Sequence, residues 1–370
     1  MKRSLAWSLL ALSPLVAACG DDGSATTETD VSSSTSMAGS TSETPMTDPT
    51  VGSSSSGPTS ASSSGSSSTG LDGSESSVGD TDEGTTGSTT GGEVVDCDTI
   101  PAGPFAPNVQ FMPFNGSEDL GFDGLGGLAG KDGGNIIIVD SAGVETASYA
   151  DAFNPSYGLR FTADGNLLVA HPSVGEIGEI GPDGSISTFA TGISGVNGLY
   201  PDLEGNVWVT NFSIVGRYSA DGSLDTLLTG ADAANSNGIV YDPDRNVAFY
   251  TNYSAGRVLK VDINADGSAG DVNELGQVGG AAFDGLALDA CGNLYAVDNG
   301  TPRVFRLMLD ENADAIGELT NIVDGNMQNV ANAQFGRGEG FDPNSLYVTG
   351  NPGVVYRLEV GVPGAEIPLP

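Results

Sequence analysis

The stretch FDGLALDACGNLYAVDNGTPRVFRL, residues 283–307, decides the fold. Two apolar runs flank a turn, Ala290-Cys291-Gly292-Asn293, and a third run follows Pro302-Arg303. Turns rich in Asp, Gly and Asn supply the left-handed backbone positions that a tight hairpin needs. The same arrangement returns along the chain, in copies starting at Gly126, Tyr157, Asn197, Asn237, Asp284 and, more loosely, Gln334. The first five starts lie 31 to 47 residues apart, a period typical of solenoids and propellers. A fourth run follows an Asp-Gly turn, as in GPDGSISTFATG (181–192) and SADGSLDTLLTG (219–230). Four short strands per repeat make a propeller blade, and no segment keeps a 3.6-residue period. The reading is therefore all-β: a six-bladed β-propeller over 97–370, with a strand near Val109 to Phe114 closing the ring.

The first quarter of the chain is different. Residues 1–18, MKRSLAWSLLALSPLVAA, read as a signal peptide with a basic start, an apolar middle and small residues at its end. Val16-Ala17-Ala18-Cys19 resembles the bacterial lipoprotein box, which makes Cys19 a lipidation site and the bacterial cell envelope the expected location. Residues 19–96 are rich in Ser, Thr, Gly and acid and hold almost no large apolar side chain, so they read as a disordered tether. The formal charge of −36, with 12 basic residues, excludes nucleic acid as a partner, because phosphate contacts need Lys and Arg. In an exported chain the two remaining cysteines, Cys97 and Cys291, are expected to form a disulfide. One histidine, His171, leaves no Cys/His cluster for zinc or for a nucleophile.

In a propeller the innermost strands line a central channel. Here the residue before the repeat glycine is Gly126, Tyr157, Asn197, Asn237 and Asp284 in the first five copies, while the sixth offers Phe335 or Glu339. Two amides and a carboxylate on consecutive blades are hard oxygen ligands, suited to Ca²⁺ or Mg²⁺. The segments SNGIVYDPDRNVAFYTNYSAGRVLKVDI (236–263) and 283–307 resemble the gluconolactonase and regucalcin (senescence marker protein) six-bladed propellers. That resemblance implies a divalent metal (Ca, Mg, Zn or Mn) on Asn237 and Asp284. It also implies substrate contacts from Asn197, joined here by the neighbouring ring residue Tyr157, and general-base work by Asp284 in opening a lactone.

Two positions depart from the family pattern. Where the family carries a metal-binding Glu-Gly-Pro in its first blade, the repeat alignment puts Leu125-Gly126-Gly127, with Asp123 and Glu339 as the nearest acids to stand in. The family's substrate Arg, two positions before the blade-three Asn, is Gly195. The expected function is hydrolysis of a small lactone or ester; the alternative is a non-catalytic surface propeller that binds a ligand or protein partner. His171, and the acid-rich turns at Asp262-Asn264-Asp266 and Asp310-Asn312-Asp314, recur at repeat positions and read as structural.

Overall fold

The computed structural model describes residues 95–370. The expected signal peptide, Cys19 and the tether up to Val94 lie outside the described residues. The described residues build six antiparallel sheets of four strands each, with no α-helix among them. Blade 1 spans 121–150, blade 2 159–191, blade 3 199–229, blade 4 236–277 and blade 5 283–321. Blade 6 takes three strands from 332–358 and its outermost strand, Asn108–Phe111, from the beginning of the domain. That strand pairs antiparallel with Val355–Leu358, which removes the open edge of the last blade.

Burial follows strand position. The inner strands Leu159–Phe161, Leu199–Pro201 and Phe283–Leu288 are buried at every residue, whereas the outer strand Glu145–Ala150 alternates between half-buried and exposed. Neighbouring blades pack face to face through large side chains: Trp208 of blade 3 stacks on Tyr241 of blade 4 at 4.1 Å, and Phe122 of blade 1 meets Tyr347 of blade 6 edge-on at 5.3 Å. Cys97, in a short 3₁₀ turn (Cys97–Thr99), is bonded to Cys291 in the first turn of blade 5, with 5.6 Å between Cα atoms.

Every inner strand starts at one face of the ring, the entry face, and ends in a turn on the far face. In blades 1, 3 and 5 an aspartate organises this far-face turn by accepting backbone N–H groups two and four residues on. Asp202 accepts from Glu204 and Asn206, and Asp289 from Cys291 and Asn293. Asp123 does the same for Leu125 and Gly127, so the first turn of blade 1 is 123–127. This corrects the repeat alignment in blade 1. The Lys131–Asn135 turn, which mimics the others in sequence, joins the second and third strands, Leu128–Asp132 and Asn135–Val139. Gly126 is therefore a far-face turn residue packed against the Glu339 backbone, and it lies outside the channel ring.

Candidate functional site

The repeat glycines have a packing cause. A Cβ on Gly158 would run into the carbonyl oxygen of Asn197, one on Gly198 into that of Asn237, and one on Gly238 into that of Asp284. Each glycine thus lets its blade approach the ring residue of the next. Buried threonines on the second strands lock this contact. The Gly238 N–H donates to Thr251 Oγ1 at 2.8 Å, and that hydroxyl donates to the Asp284 carbonyl at 2.8 Å. Thr210 repeats the relay between the Gly198 N–H and the Asn237 carbonyl. The backbone of three consecutive ring residues, Asn197, Asn237 and Asp284, is fixed before their side chains do anything.

Strand register gives the rest of the ring. Phe122 pairs with Leu128, Phe161 with Leu167 and Leu288 with Leu294, each pair closing the first hairpin of its blade. Counting back by the same steps places Glu118 beside Tyr157, Asn197, Asn237 and Asp284. In blade 6, Phe335 pairs with Leu346 at that same hairpin end, so the ring level belongs to Ala331, whose N–H donates to the Thr349 carbonyl, and Asn332 takes the position that Asp119 holds in blade 1. Phe335 is the last residue of its strand, Asn332–Phe335, and Glu339 is exposed on a turn; neither stands at the ring level. The first-blade carboxylate that the repeat alignment missed is thus Glu118, with Asp119 in the position that glycine holds in blades 2 to 5.

Electrostatics places these groups together. Asp284 is 5 % exposed, and burial pushes its carboxyl well above the usual carboxylate range, with the charges of Glu118 and Asp119 adding to the rise. Blades 1 and 5 are not neighbours in the ring, so this influence acts across the channel. The Asn237 amide donates to the Asp284 carboxylate and offsets part of the shift. Glu118 is raised to about 7, first by burial and then by Asp119, against a lowering from Lys131. Asp119 itself is raised by burial but held by the Arg160 guanidinium and by the Leu159 and Leu120 N–H groups. No ion pair with Lys or Arg reaches Glu118 or Asp284 among the described residues. Tyr253 overlooks the same space: its hydroxyl bonds Asn299 Oδ1 at 3.0 Å, and burial raises it, helped by Asp284 and Glu118.

The donor set is two carboxylates, neither in an ion pair with Lys or Arg among the described residues, flanked by the Asn237 and Asn197 amides. Such a set fits a hard divalent cation. Among the described residues no group of three or more His, Cys, Asp or Glu side chains is arranged around an ion position, so the cation would depend on the amides as well.

The strand-end polar residues belong elsewhere. Asn252 donates to the Ala234 carbonyl, Asn211 to the Ser194 carbonyl, and Asp298 accepts from Ala282 and Gly300. His171 lies 3.9 Å from Glu176 of its own blade and edge-on to Phe153 in the segment that leads into the blade. Asp140 organises the turn after the third strand of blade 1 by accepting from Ala142 and Val144. Asp310 likewise organises its own turn by accepting from Asn312 and Asp314.

Comparison with known proteins agrees with this architecture. Residues 216–351 match the family model described as the SMP-30/gluconolactonase/LRE-like region. That span runs from blade 3 into blade 6 and contains Asn237 and Asp284. Regucalcin from Agrobacterium tumefaciens, described as a calcium-binding protein, superposes with a TM-score of 0.58 at 19% identity, over 72% of this chain and 98% of that one. A gluconolactonase from Xanthomonas campestris superposes with a TM-score of 0.54 at 18% identity, over 71% and 98%. A comparison with curated proteins gives no match. The six-bladed gluconolactonase-like propeller is the shared feature. Glu118, Tyr157 and Asn197 fall before the matched span, and their place in the ring follows from register alone.

Proposed function

We propose that the entry-face site binds a divalent cation through Glu118, Asn237 and Asp284 and hydrolyses a small lactone or related ester. The observation that carries this reading is the charge coupling of Glu118 with Asp284, neither of which forms an ion pair with Lys or Arg among the described residues. Two buried like charges raise each other's proton affinity, and a divalent ion relieves what otherwise two protons must. When bound, such an ion polarises a carbonyl and acidifies water. The chain's own groups divide the remaining work. Asp284, with its raised proton affinity, accepts the proton of an attacking water, and the Asn237 amide holds that carboxylate in place. Asn197 and Tyr157, next in the ring, contact the ring oxygens of the substrate.

Calorimetric titration with Ca²⁺, Mg²⁺, Zn²⁺ and Mn²⁺, alongside a panel of lactones, tests this reading. Binding that disappears in Asp284→Asn, together with turnover, supports it; absence of binding at millimolar ion overturns it. One observation favours binding without turnover. Gly195, with φ +76°, stands where the resembling family has a substrate-binding Arg, and it brings no charge to the mouth. Turnover on none of the panel despite ion binding would select that second reading.

For the whole chain we propose export and attachment to the cell envelope through an acylated Cys19. The Cys97–Cys291 bridge supports an oxidising compartment. Loss of membrane association in Cys19→Ala is the corresponding test.

A further inference from the structure

On the far face, blades 1 and 2 leave a space between them. It is a cavity of about 420 Å³, within the size range of small-ligand pockets. Its walls are apolar, from Ile138 and Ala147 of blade 1 and from Phe161, Leu167 and Ile180 of blade 2. Tyr149, on the outer strand of blade 1, reaches across with its ring against Gly184 of blade 2. Leu369 and Pro370 rest on the first turns of the two blades, against Gly124 and Gly165. Asp123 and Asp164 are the charged side chains of the lining, and no Lys, Arg or His belongs to it.

The same junction between blades 3 and 4 is filled by the protein itself. There Trp208 stacks on Tyr241, with the Arg217 guanidinium 5.4 Å from the indole centre. Asp202 Oδ2 accepts from Trp208 Nε1 and from Asn206 Nδ2, each at 2.9 Å. Blade 5 uses the same device: Asp289 Oδ2 accepts from Asn293 Nδ2 and from the Tyr295 hydroxyl. Counted from the turn aspartate, the counterparts of these two donors in blade 1 are Gly127 and Ala129, which have no side-chain donor. Ile138 pairs with Ala129 as Arg217 pairs with Trp208, and Phe161 stands where Tyr241 does in its blade. Asp123 keeps its turn, with Oδ1 accepting from Leu125 and Gly127, but no protein group among the described residues donates to its Oδ2. That oxygen lies beside the Ile138 methyl, since a Cβ on Gly127 would strike both, and it is not among the atoms sealed from solvent. Blade 1 thus lacks an aromatic group, a hydrogen-bond donor and a positive charge where blade 3 has all three.

We infer that this cavity binds one small organic cation, an ammonium carried on a flat apolar body such as a phenylalkyl group. The ammonium donates to Asp123 Oδ2 in place of the missing side chains, and the body lies between Ile138 and Phe161, where blade 3 holds its indole. A charged donor makes a stronger hydrogen bond to a fixed carboxylate than a neutral one does. Apolar walls favour an apolar body over water, which finds too few polar partners there. The site is separate from the entry-face carboxylates and does not depend on their role.

Calorimetric titration of the full chain with phenethylammonium chloride tests the inference, with phenethyl alcohol as the neutral counterpart and ammonium chloride as the bare ion at equal ionic strength. One phenethylammonium should bind per chain, about tenfold or more tighter than either control. Asp123→Asn keeps an oxygen for the turn N–H groups while removing the charge, and it should weaken binding about tenfold. Ala147→Phe, on the half-buried outer strand, should fill the space and abolish binding. Crystals soaked in para-bromophenethylammonium chloride should show an anomalous bromine peak between Ile138 and Phe161. A cavity without bromine overturns the inference. So does an affinity no better than that of phenethyl alcohol, or one unchanged in Asp123→Asn.

Discussion

The negative charge of Glu118 raises the proton affinity of Asp284, although the two residues stand on the first and fifth blades. For a carboxyl whose folded pKa is raised, the stabilising contribution is complete below the unfolded value and is lost as pH rises through the folded one. Glu118 rises from 4.5 to about 7, so the ion-free protein loses stability between those values. The loss has an upper bound of about 3 kcal/mol, because Glu118 is only half-buried. Glu118→Gln should therefore flatten the pH profile of thermal unfolding in chelator and raise the melting temperature at pH 8. Saturating divalent ion should reverse the wild-type slope, since it binds the charged pair.

Glycine is required at position 238 for reasons of space. A Cβ there meets the Asp284 carbonyl and the Leu286 N–H, both backbone, so neither can move aside cheaply. Gly238→Ala is expected to cost about 1–3 kcal/mol and to disturb ion binding. Gly279→Ala, which meets nothing within 4 Å, should be near neutral in the same denaturation assay.

Thr251→Val keeps the shape of the side chain but removes the hydroxyl between the Gly238 N–H and the Asp284 carbonyl. Both backbone groups are buried, so the loss should be about 1–3 kcal/mol by urea unfolding. Because Asp284 is then less firmly held, ion affinity should fall as well, although Thr251 contacts no ion.

Cys97 and Cys291 close a loop of 194 residues in sequence separation. Reduction, or Cys291→Ser, should lower stability by about 2–5 kcal/mol. The expected readout is a lower melting temperature in reducing buffer that the serine variant reproduces in oxidising buffer.

Most of the architecture was legible in the sequence because each blade repeats the same local chemistry. The x-Gly-apolar start and the Asp-led turn are dictated within one hairpin, so Asn197, Asn237 and Asp284 align without a structure. Blade 1 escaped because Lys131-Asp132-Gly133-Gly134-Asn135 copies the composition of a first turn while joining different strands. A usable signal was present. Asp202, Asp242 and Asp289 each stand five residues after their ring residue, and Asp123 stands five after Glu118.

That closure sets an order of events. The strand Asn108–Phe111 is synthesised first among the strands, and its partner Val355–Leu358 is synthesised last. Until the final blade emerges, the first sheet-forming segment has nothing to pair with, and the ring of channel residues is an open arc. The carboxylate pair cannot face across a channel on a nascent chain. An unfinished or truncated molecule therefore carries the residues of the entry-face site without their geometry, which is complete only with the last strand.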